Sequence, residues 1–189
     1  MKKITLYFLR HGKTFFNEKN LVQGWCDSLL IDEAKKEALL LREHLNQKDI
    51  SFDYAYTSPM LRTRQTVQFV CPNVKVFEDA RLMEINYGFL EGESAKTLQL
   101  FYPNRYDFKH FEGFIGGENW IEAGSRFQSC LDELVANAKN KDCILIVTHG
   151  AILTWFLNQI DGSINKKPDN LTLCKVIYDG KFQIEKIGV

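Results

Sequence analysis

Two short apolar runs constrain the fold of this chain more than any other feature. Residues 4–9 and 144–147 are nearly continuous apolar runs without polar alternation. Such runs are typical of strands that are buried on both faces of a mostly parallel sheet. A histidine–glycine pair follows each run, at residues 11–12 and 149–150. The sequence therefore predicts an α/β protein in which two buried strands end beside a histidine.

Strand and helix signals alternate along the rest of the chain, without internal repeats or a low-complexity linker. Asp32 is the expected N-cap of one helix, and Ser58 followed by Pro59 is the expected start of another. A closing hairpin is expected to turn at residues 179–180, Asp-Gly. The predicted helices cover residues 32–45, 58–70 and 151–160, and the additional strands cover 52–57 and 74–77.

Composition and charge exclude several classes of protein. Lys plus Arg and Asp plus Glu each number 24 in the 189 residues, so no basic surface predicts nucleic acid as a partner. The apolar run at 4–9 is too short for a signal sequence or a membrane span, so we expect a cytoplasmic protein without a membrane partner. The five cysteines are scattered and never spaced as C-x-x-C, which argues against a disulfide framework or a zinc site.

Cationic side chains and histidines follow three of the predicted strands. Arg10 and His11 follow the first, Arg62 lies one turn into the helix after the second, and His149 follows the 144–147 strand. The carboxyl ends of parallel strands share one sheet edge, where open α/β sheets bind their ligands. Taken singly, each side chain is typical of a solvated or capping residue. Together, two guanidinium groups and two helix N-termini predict an anion site, with phosphate as the expected ligand.

Six segments, in this order, resemble the histidine phosphatase superfamily, which is also called phosphoglycerate mutase-like. They are RHGKTFFN at 10–17, QGWCD at 23–27, SPMLRTRQT at 58–66, MEINYGFLEG at 83–92, GGEN at 116–119 and THG at 148–150. The resemblance spans residues 4 to about 160. It implies a three-layer Rossmann-like core, with helices on both faces of the sheet, in a single domain of residues 1–189. Leu29, Ile31 and Ala34 stand where the family often has Pro, Thr and Gly, a departure that affects the start of a helix rather than the chemistry.

The resemblance also implies a phosphohistidine mechanism. His11 is the implied nucleophile and Glu84 the implied proton donor, with Glu91 and Glu118 as the other carboxyl groups to test. The implied phosphate ligands are Arg10, Arg62 and a protonated His149, with Asn17, Thr14, Gln23, the backbone of Gly24, and Gly150 nearby. The arginines would repel a divalent cation, and the sequence has no H-x-H or carboxylate cluster, so we expect neither a metal nor a cofactor.

Residues 85–120 are expected to form a lid over this site. They hold nine of the 24 aromatic residues in 36 positions. These rings either pack the insertion onto the body of the protein or contact the substrate directly. The candidates for contacting a second charged group on the substrate are Lys96, Arg105, Lys109 and His110. The nine rings are Tyr87, Phe89, Phe101, Tyr102, Tyr106, Phe108, Phe111, Phe114 and Trp120.

The predicted function is metal-independent hydrolysis of the phosphate monoester of a small metabolite. Two alternatives stay open: a phosphoglycerate mutase that returns the phosphoryl group to a bound acceptor, and a non-catalytic module that binds a phosphorylated ligand. The resemblance argues against the first, because mutases of the family carry longer insertions. It argues against the second, because every chemical position is filled. The substrate itself and the oligomeric state are left open by the sequence.

Overall fold

A six-stranded sheet lies at the centre of the computed structural model, which describes residues 2–188. The strands are β1 (Ile4–Arg10), β2 (Tyr54–Thr57), β3 (Val76–Glu78), β4 (Cys143–Thr148), β5 (Leu173–Tyr178) and β6 (Phe182–Ile187). Their order across the sheet is β3-β2-β4-β1-β5-β6. The first four are parallel to one another, whereas β5 and β6 run antiparallel at one edge. The prediction of a mostly parallel sheet is confirmed.

The helices lie between the strands in chain order. They are α1 (Phe15–Glu18), α2 (Asp32–Gln47), α3 (Leu61–Val70), α4 (Ala95–Phe101), α5 (Trp120–Asn137) and α6 (Gly150–Ile160), with 3₁₀ turns at Ala80–Leu82 and Gly88–Leu90. None of the helices formed by residues 2–188 is both long and apolar enough to cross a membrane.

Side chains of β1 alternate between the two faces of the sheet, and both faces are covered. Leu6 and Phe8 pack in a cluster with residues of α5 and α6, where the Phe8 and Phe156 ring centroids are 4.8 Å apart. Tyr7 and Leu9 pack on the other face with residues of α2 and α3. Each fully buried Leu or Phe contributes about 1.5–3 kcal/mol. Burial on both faces explains why the run has no polar alternation, and the predicted three-layer architecture is confirmed.

The start of α3 differs from the prediction. The helix begins at Leu61, and Ser58 is not its N-cap; Met60 occupies that position without a capping side chain. The backbone N–H of Leu61 donates instead to the Asp27 carboxylate, from a loop distant in sequence. The Ser58 hydroxyl is thereby available to His149, 2.7 Å from its Nε2. Ser58 therefore bonds to His149 instead of capping α3, because the Asp27 carboxylate accepts the first N–H of that helix.

Other boundaries differ by a few residues. Ile31, not Asp32, is the N-cap of α2, and Asp32 is its first helical residue, where its carboxylate pairs with Lys35. The helix continues two residues past the predicted end at 45. β2 starts two residues later than predicted, and β3 is shifted to the C-terminal side. The predicted hairpin joins β5 to β6 through Gly180, whose φ of 104° is readily adopted only by glycine.

Most aromatic residues of the 85–120 segment pack against the body of the protein. Phe89 and Phe101 are the main exceptions, with 80% and 67% of their surface exposed. At the centre of the packed rings, the Phe114 centroid lies within 5.0 Å of those of Tyr87, Tyr102 and Phe111. The packing role is therefore observed for most of the rings. The role of this segment as a lid stays a prediction.

Candidate active site

The site lies at the carboxyl ends of β1 and β4. Arg10 is the last residue of β1 and pairs in register with Thr148, the last residue of β4. His11 and His149 follow these strands, and their ring centroids are 5.3 Å apart. Both imidazoles are buried, with at most 4% of either residue exposed. The parallel pairing of adjacent strands therefore brings the two sequence motifs together.

His11 has a defined proton position. Its Nδ1 lies 2.8 Å from the carbonyl oxygen of Gly12, which can only accept, so Nδ1 carries the proton and Nε2 keeps its lone pair. Burial, together with the charges of Arg62 and Arg10, lowers the pKa of His11 well below its ordinary value. The ring is thus neutral at physiological pH. A neutral imidazole with a free nitrogen lone pair is a competent nucleophile.

The backbone around His11 is fixed by two side chains. The N–H of Gly12 donates to Thr66 Oγ1 at 2.9 Å, and Asn170 Nδ2 donates to the His11 carbonyl at 2.8 Å. Asn170 comes from the connection between α6 and β5, which the sequence analysis did not assign to the site. These two contacts hold the backbone of His11 and Gly12, from which the imidazole extends.

Arg62 is fully buried and connects the site to the loop at residues 24–27. It donates to the carbonyl oxygens of Gly24 and Cys26, at 2.6 and 2.9 Å, and to the Asp27 carboxylate at 2.9 Å. Its Nε donates to His149 Nδ1 at 3.1 Å. Within residues 2–188 these contacts engage four of the five guanidinium N–H groups. One N–H on Nη2 is left for a ligand.

His149 is neutral in this arrangement. Because its Nδ1 accepts from Arg62, that nitrogen carries no proton, and Nε2 is the nitrogen that bonds to Ser58 Oγ at 2.7 Å. Burial and the Arg62 charge lower the pKa of His149 well below its ordinary value. The expectation of a protonated ring is thus wrong for the site as the structure shows it. A phosphate dianion would oppose the cationic charges that lower this pKa.

Arg10 presents a buried donor to the site. The residue is 7% exposed, and its Nη1 donates to the carbonyl oxygen of Pro168 at 2.7 Å. Its Nε is buried, and no acceptor for it exists among the residues that the structure describes. A buried donor without a partner costs about 1–3 kcal/mol. An anion oxygen would satisfy this donor, as expected of a phosphate ligand.

Gly150 permits this approach of Arg10. It is the first residue of α6, and a methyl group on its α-carbon would lie 2.9 Å from Arg10 Nε and 2.5 Å from Lys167 Cδ. The side chains of Arg10 and Lys167 therefore pass so close to the backbone at residue 150 that a side chain larger than that of glycine would clash with them. Lys167, like Asn170, was not identified from the sequence.

Glu84 lies at the N-terminus of α6 and is 5% exposed. Its carboxylate accepts from the backbone N–H groups of Ala151 and Ile152, both at 2.8 Å, and from that of Ile85 at 3.1 Å. Among residues 2–188, Glu84 is the one buried carboxyl group, and it contacts the first turn of α6, which follows His149.

The two alternative carboxyl groups have structural partners. Glu118 is bound by Arg126 at 2.8 Å, and Arg126 also donates to the Glu84 carbonyl at 2.7 Å. Glu91 accepts from three consecutive backbone N–H groups, those of residues 24–26, at 2.8 to 3.0 Å. Both therefore hold the loops that carry site residues.

The remaining predicted ligands form a connected polar network. The Thr14 hydroxyl donates to Gln23 Oε1 at 2.8 Å, and the Asn17 side chain completes a capping box with Thr14 at the start of α1. Asn17 Oδ1 also accepts from Asn170 at 3.3 Å. The N–H of Gly24 donates to Glu91 and its carbonyl accepts from Arg62, and its place near the phosphate stays a prediction. Its polar groups therefore organise the loop.

The charges of the site favour an anion over a cation. Arg10 and Arg62 flank the two neutral imidazoles, and the carboxylates of Asp27 and Glu84 are already bound by guanidinium or backbone N–H groups. Among residues 2–188, no three His, Cys, Asp or Glu side chains are grouped so that they could hold a metal ion. The charges of the site therefore suit an anion better than a metal ion.

Comparisons with known proteins agree with this geometry. A family model described as histidine phosphatase superfamily (branch 1) matches residues 6–187. A broad-specificity phosphatase of Saccharomyces cerevisiae is 29% identical, over 98% of this chain and 85% of its own. A 2,3-bisphosphoglycerate-dependent phosphoglycerate mutase of Bartonella bacilliformis is 34% identical, over 84% and 82%. The crystal structure of a phosphoglycerate mutase from Bacillus anthracis superposes with a TM-score of 0.85 at 27% identity, over 99% of this chain and 93% of that one.

Proposed function

Because the chain belongs to the histidine phosphatase superfamily, we propose that it is a metal-independent phosphatase that hydrolyses phosphate monoesters of small metabolites through a phosphohistidine at His11. The observation that carries the proposal is the state of His11. Its ring is neutral, the Gly12 carbonyl accepts its Nδ1 proton, and its Nε2 keeps a lone pair in the field of the Arg62 and Arg10 charges. This is the state that in-line attack on phosphorus requires.

The reaction has two steps. In the first, His11 Nε2 forms a bond to phosphorus, the bond from phosphorus to the ester oxygen breaks, and Glu84 gives its proton to the leaving alkoxide. In the second, water attacks the phosphohistidine and gives a proton to the Glu84 carboxylate, while the bond from phosphorus to nitrogen breaks. The products are the alcohol and inorganic phosphate, and His11 returns to its neutral form.

The arginines stabilise the charge that the transition state spreads over the equatorial oxygens. Arg10 Nε is a buried donor that awaits an acceptor, and Arg62 has an N–H on Nη2 outside its protein contacts. Both are held by backbone carbonyls, so their positions are set before the substrate arrives. Two preorganised cations supply the charge that a metal ion supplies in other phosphatases, which is the basis for proposing metal independence.

Phosphoglycerate mutase activity is the second candidate, because several of the similar proteins carry that name. Hydrolysis is favoured by the similarity to a broad-specificity phosphatase over nearly the whole chain. The two activities differ in the acceptor for the phosphoryl group of His11, which is water in one and a bound phosphoglycerate in the other. Isomerisation of 3-phosphoglycerate that is faster than phosphate release would favour the mutase.

The test is phosphate release from p-nitrophenyl phosphate, with trapping of the phosphoenzyme from labelled substrate. His11→Ala is expected to abolish both signals, and His44→Ala, a change at a histidine on α2, is expected to retain both. Activity is expected to survive EDTA. A phosphoenzyme that persists in His11→Ala would refute the assignment of the nucleophile, and loss in EDTA with recovery in Mg²⁺ or Zn²⁺ would refute metal independence. Ligand binding without any turnover would identify a non-catalytic module.

A further inference from the structure

The GGEN segment at residues 116–119 takes no direct part in the proposed reaction, but it binds the chain beside Glu84. Gly117 permits a close approach, because a methyl group on its α-carbon would lie 2.3 Å from the Asn86 carbonyl oxygen. The backbone N–H of Glu118 donates to that same carbonyl at 3.0 Å, and the Glu118 carboxylate accepts from the Asn86 N–H at 2.8 Å. The segment therefore fixes the backbone two residues after Glu84.

Arg126, on α5, holds the backbone on the other side of Glu84. Its Nη1 donates to the carbonyl oxygens of Arg81 and Met83, at 2.9 and 2.7 Å, and its Nη2 donates to that of Glu84 at 2.7 Å. Its Nε and Nη2 also bind the two oxygens of the Glu118 carboxylate, each at 2.8 Å. These contacts use all five guanidinium N–H groups, so Arg126 has no donor left for a ligand.

The backbone of Glu84 depends on such contacts, because Glu84 and the three residues after it lie in no helix or strand. Buried backbone groups outside regular structure need partners from elsewhere. Thr148, the last residue of β4, donates to the Leu82 carbonyl at 2.8 Å, and Trp25 Nε1 is a second donor to the Glu84 carbonyl at 3.0 Å. With the guanidinium contacts, every carbonyl from residue 81 to residue 84 accepts from a side chain.

Glu84 is thus attached to two helices at once. Its carboxylate is bound by the first turn of α6, at Ala151 and Ile152, and its carbonyl by Arg126 on α5. A general acid has to lie within hydrogen-bonding reach of the leaving oxygen, and a displacement of about 1 Å can lower the rate by about 100-fold. The contacts on the backbone therefore matter for the proton transfer as well as for the fold.

We infer that Arg126 is a positioning residue for Glu84: together with Glu118, it fixes the backbone from which the acid extends. The inference rests on the proposed function, because it takes Glu84 as the proton donor. The Arg126 charge is paired with Glu118, and only 17% and 15% of these two side chains are exposed. Arg126 therefore acts through hydrogen bonds to the backbone, and its loss should affect the proton transfer rather than the binding of the substrate.

The test measures phosphoenzyme formation in single turnovers, with glycerol 3-phosphate and with p-nitrophenyl phosphate. Arg126→Met is expected to lower the maximal rate for glycerol 3-phosphate by roughly 10- to 100-fold, the scale of a displaced acid. The nitrophenolate departs without a proton, so the maximal rate for p-nitrophenyl phosphate should change by no more than about twofold, the scatter of independent effects. The half-saturating concentrations of both substrates should stay within the same limit.

The matched control is Arg81→Met. Arg81 also joins α5 to the chain before Glu84, and its side chain donates to Asp79, Ser129 and Glu133. Its loss should lower the melting temperature without changing the ratio of the two rates.

A double variant shows whether Arg126 acts through Glu84. Once Glu84→Gln has removed the proton, displacement of the side chain has little left to affect. Adding Arg126→Met to Glu84→Gln should therefore slow glycerol 3-phosphate by no more than about twofold further, whereas residues that act separately have additive effects. Glu118→Gln is a milder variant, which keeps an oxygen for the Asn86 N–H but loses the charge that pairs with Arg126. It should slow glycerol 3-phosphate more than p-nitrophenyl phosphate, as Arg126→Met does.

Equal slowing of both substrates by Arg126→Met would overturn the inference and would make Arg126 a support of the whole site. Additive losses in the double variant would overturn it as well. Thermal melting identifies an Arg126 variant that fails to fold, in which case the ratio of the two rates in Glu118→Gln decides. Failure of the proposed function is a separate result: Glu84→Gln alone would then slow both substrates alike, or the unmodified protein would show no hydrolysis that depends on His11.

Discussion

Replacing Glu84 by glutamine separates the role of its proton from the role of its hydrogen bonds. The carboxylate accepts from the N–H groups of Ala151 and Ile152, one on each oxygen. In Glu84→Gln one of these acceptors becomes an NH₂ group, so one backbone N–H of α6 is left buried beside another donor. A buried donor without a partner costs about 1–3 kcal/mol. The free energy of unfolding should fall by that amount, and the fold should persist.

The kinetic effect should depend on the leaving group. General acid catalysis contributes about 10²- to 10⁴-fold, so phosphoenzyme formation from glycerol 3-phosphate should slow in Glu84→Gln by that factor. The leaving nitrophenolate of p-nitrophenyl phosphate departs without a proton, so its reaction should slow by less than about tenfold. Single-turnover measurement of the phosphoenzyme isolates this step from its later hydrolysis.

The matched control is Glu122→Gln, which changes a carboxyl group in the capping box of α5. Glutamine can keep the same capping bonds there, and both substrates should react at unmodified rates. If Glu84→Gln slowed phosphoenzyme formation equally for both substrates, Glu84 would not be the leaving-group acid. The loss would then reflect displacement of α6 and its neighbouring His149.

Three further changes test other parts of the site. Gly150→Ala should lower kcat/KM for p-nitrophenyl phosphate by roughly 100-fold, because the new methyl displaces the phosphate-facing Arg10; Gly162→Ala, with open space around it, should not. Ser58→Ala should lower the free energy of unfolding by about 1–3 kcal/mol, measured by urea denaturation, because the Nε2 proton of His149 loses its acceptor. The pKa values of His11 and His149 are lowered in the folded protein, so below about pH 6.5 the unfolded chain binds more protons than the folded one. The free energy of unfolding should therefore fall with decreasing pH, by up to about 1.4 kcal/mol per pH unit for each histidine. Urea midpoints that do not change between pH 6.5 and 5 would contradict this.

The alternation of elements and the meeting of the two histidine motifs could be predicted because their signals are local. A strand buried on both faces has a nearly continuous apolar sequence, and β1 and β4 both have one. Parallel strands also share one carboxyl edge, so Arg10, His11 and His149 converge as a consequence of topology. These predictions needed only the period of the apolar residues and the direction of the strands.

The partners that fix these side chains could not be predicted, because they come from distant segments. Asp27 binds the first N–H of α3, and no pattern near that helix indicates it. Glu91 holds the loop at residues 24–26 from a turn more than sixty positions away. Lys167 and Asn170 lie in an irregular connection whose path is set by tertiary contacts with β1. Local sequence therefore indicates which groups react, whereas contacts from distant segments set how those groups are oriented.

The hydrogen bonds around His149 run in one direction and fix its proton. Arg62 Nε can only donate, so Nδ1 accepts, and Nε2 donates its proton to Ser58 Oγ. The Ser58 hydroxyl then donates to Thr63 Oγ1, 2.9 Å away, whose own proton is shared between the carbonyls of Ser58 and Met60, each at 2.8 Å. A second proton on the ring would face a guanidinium N–H across 3.1 Å. His149 can therefore donate to a phosphate oxygen only after its ring turns away from Arg62. In the position shown, the neutral ring aligns the guanidinium, and the attraction for an anion on this side of the site comes from Arg62.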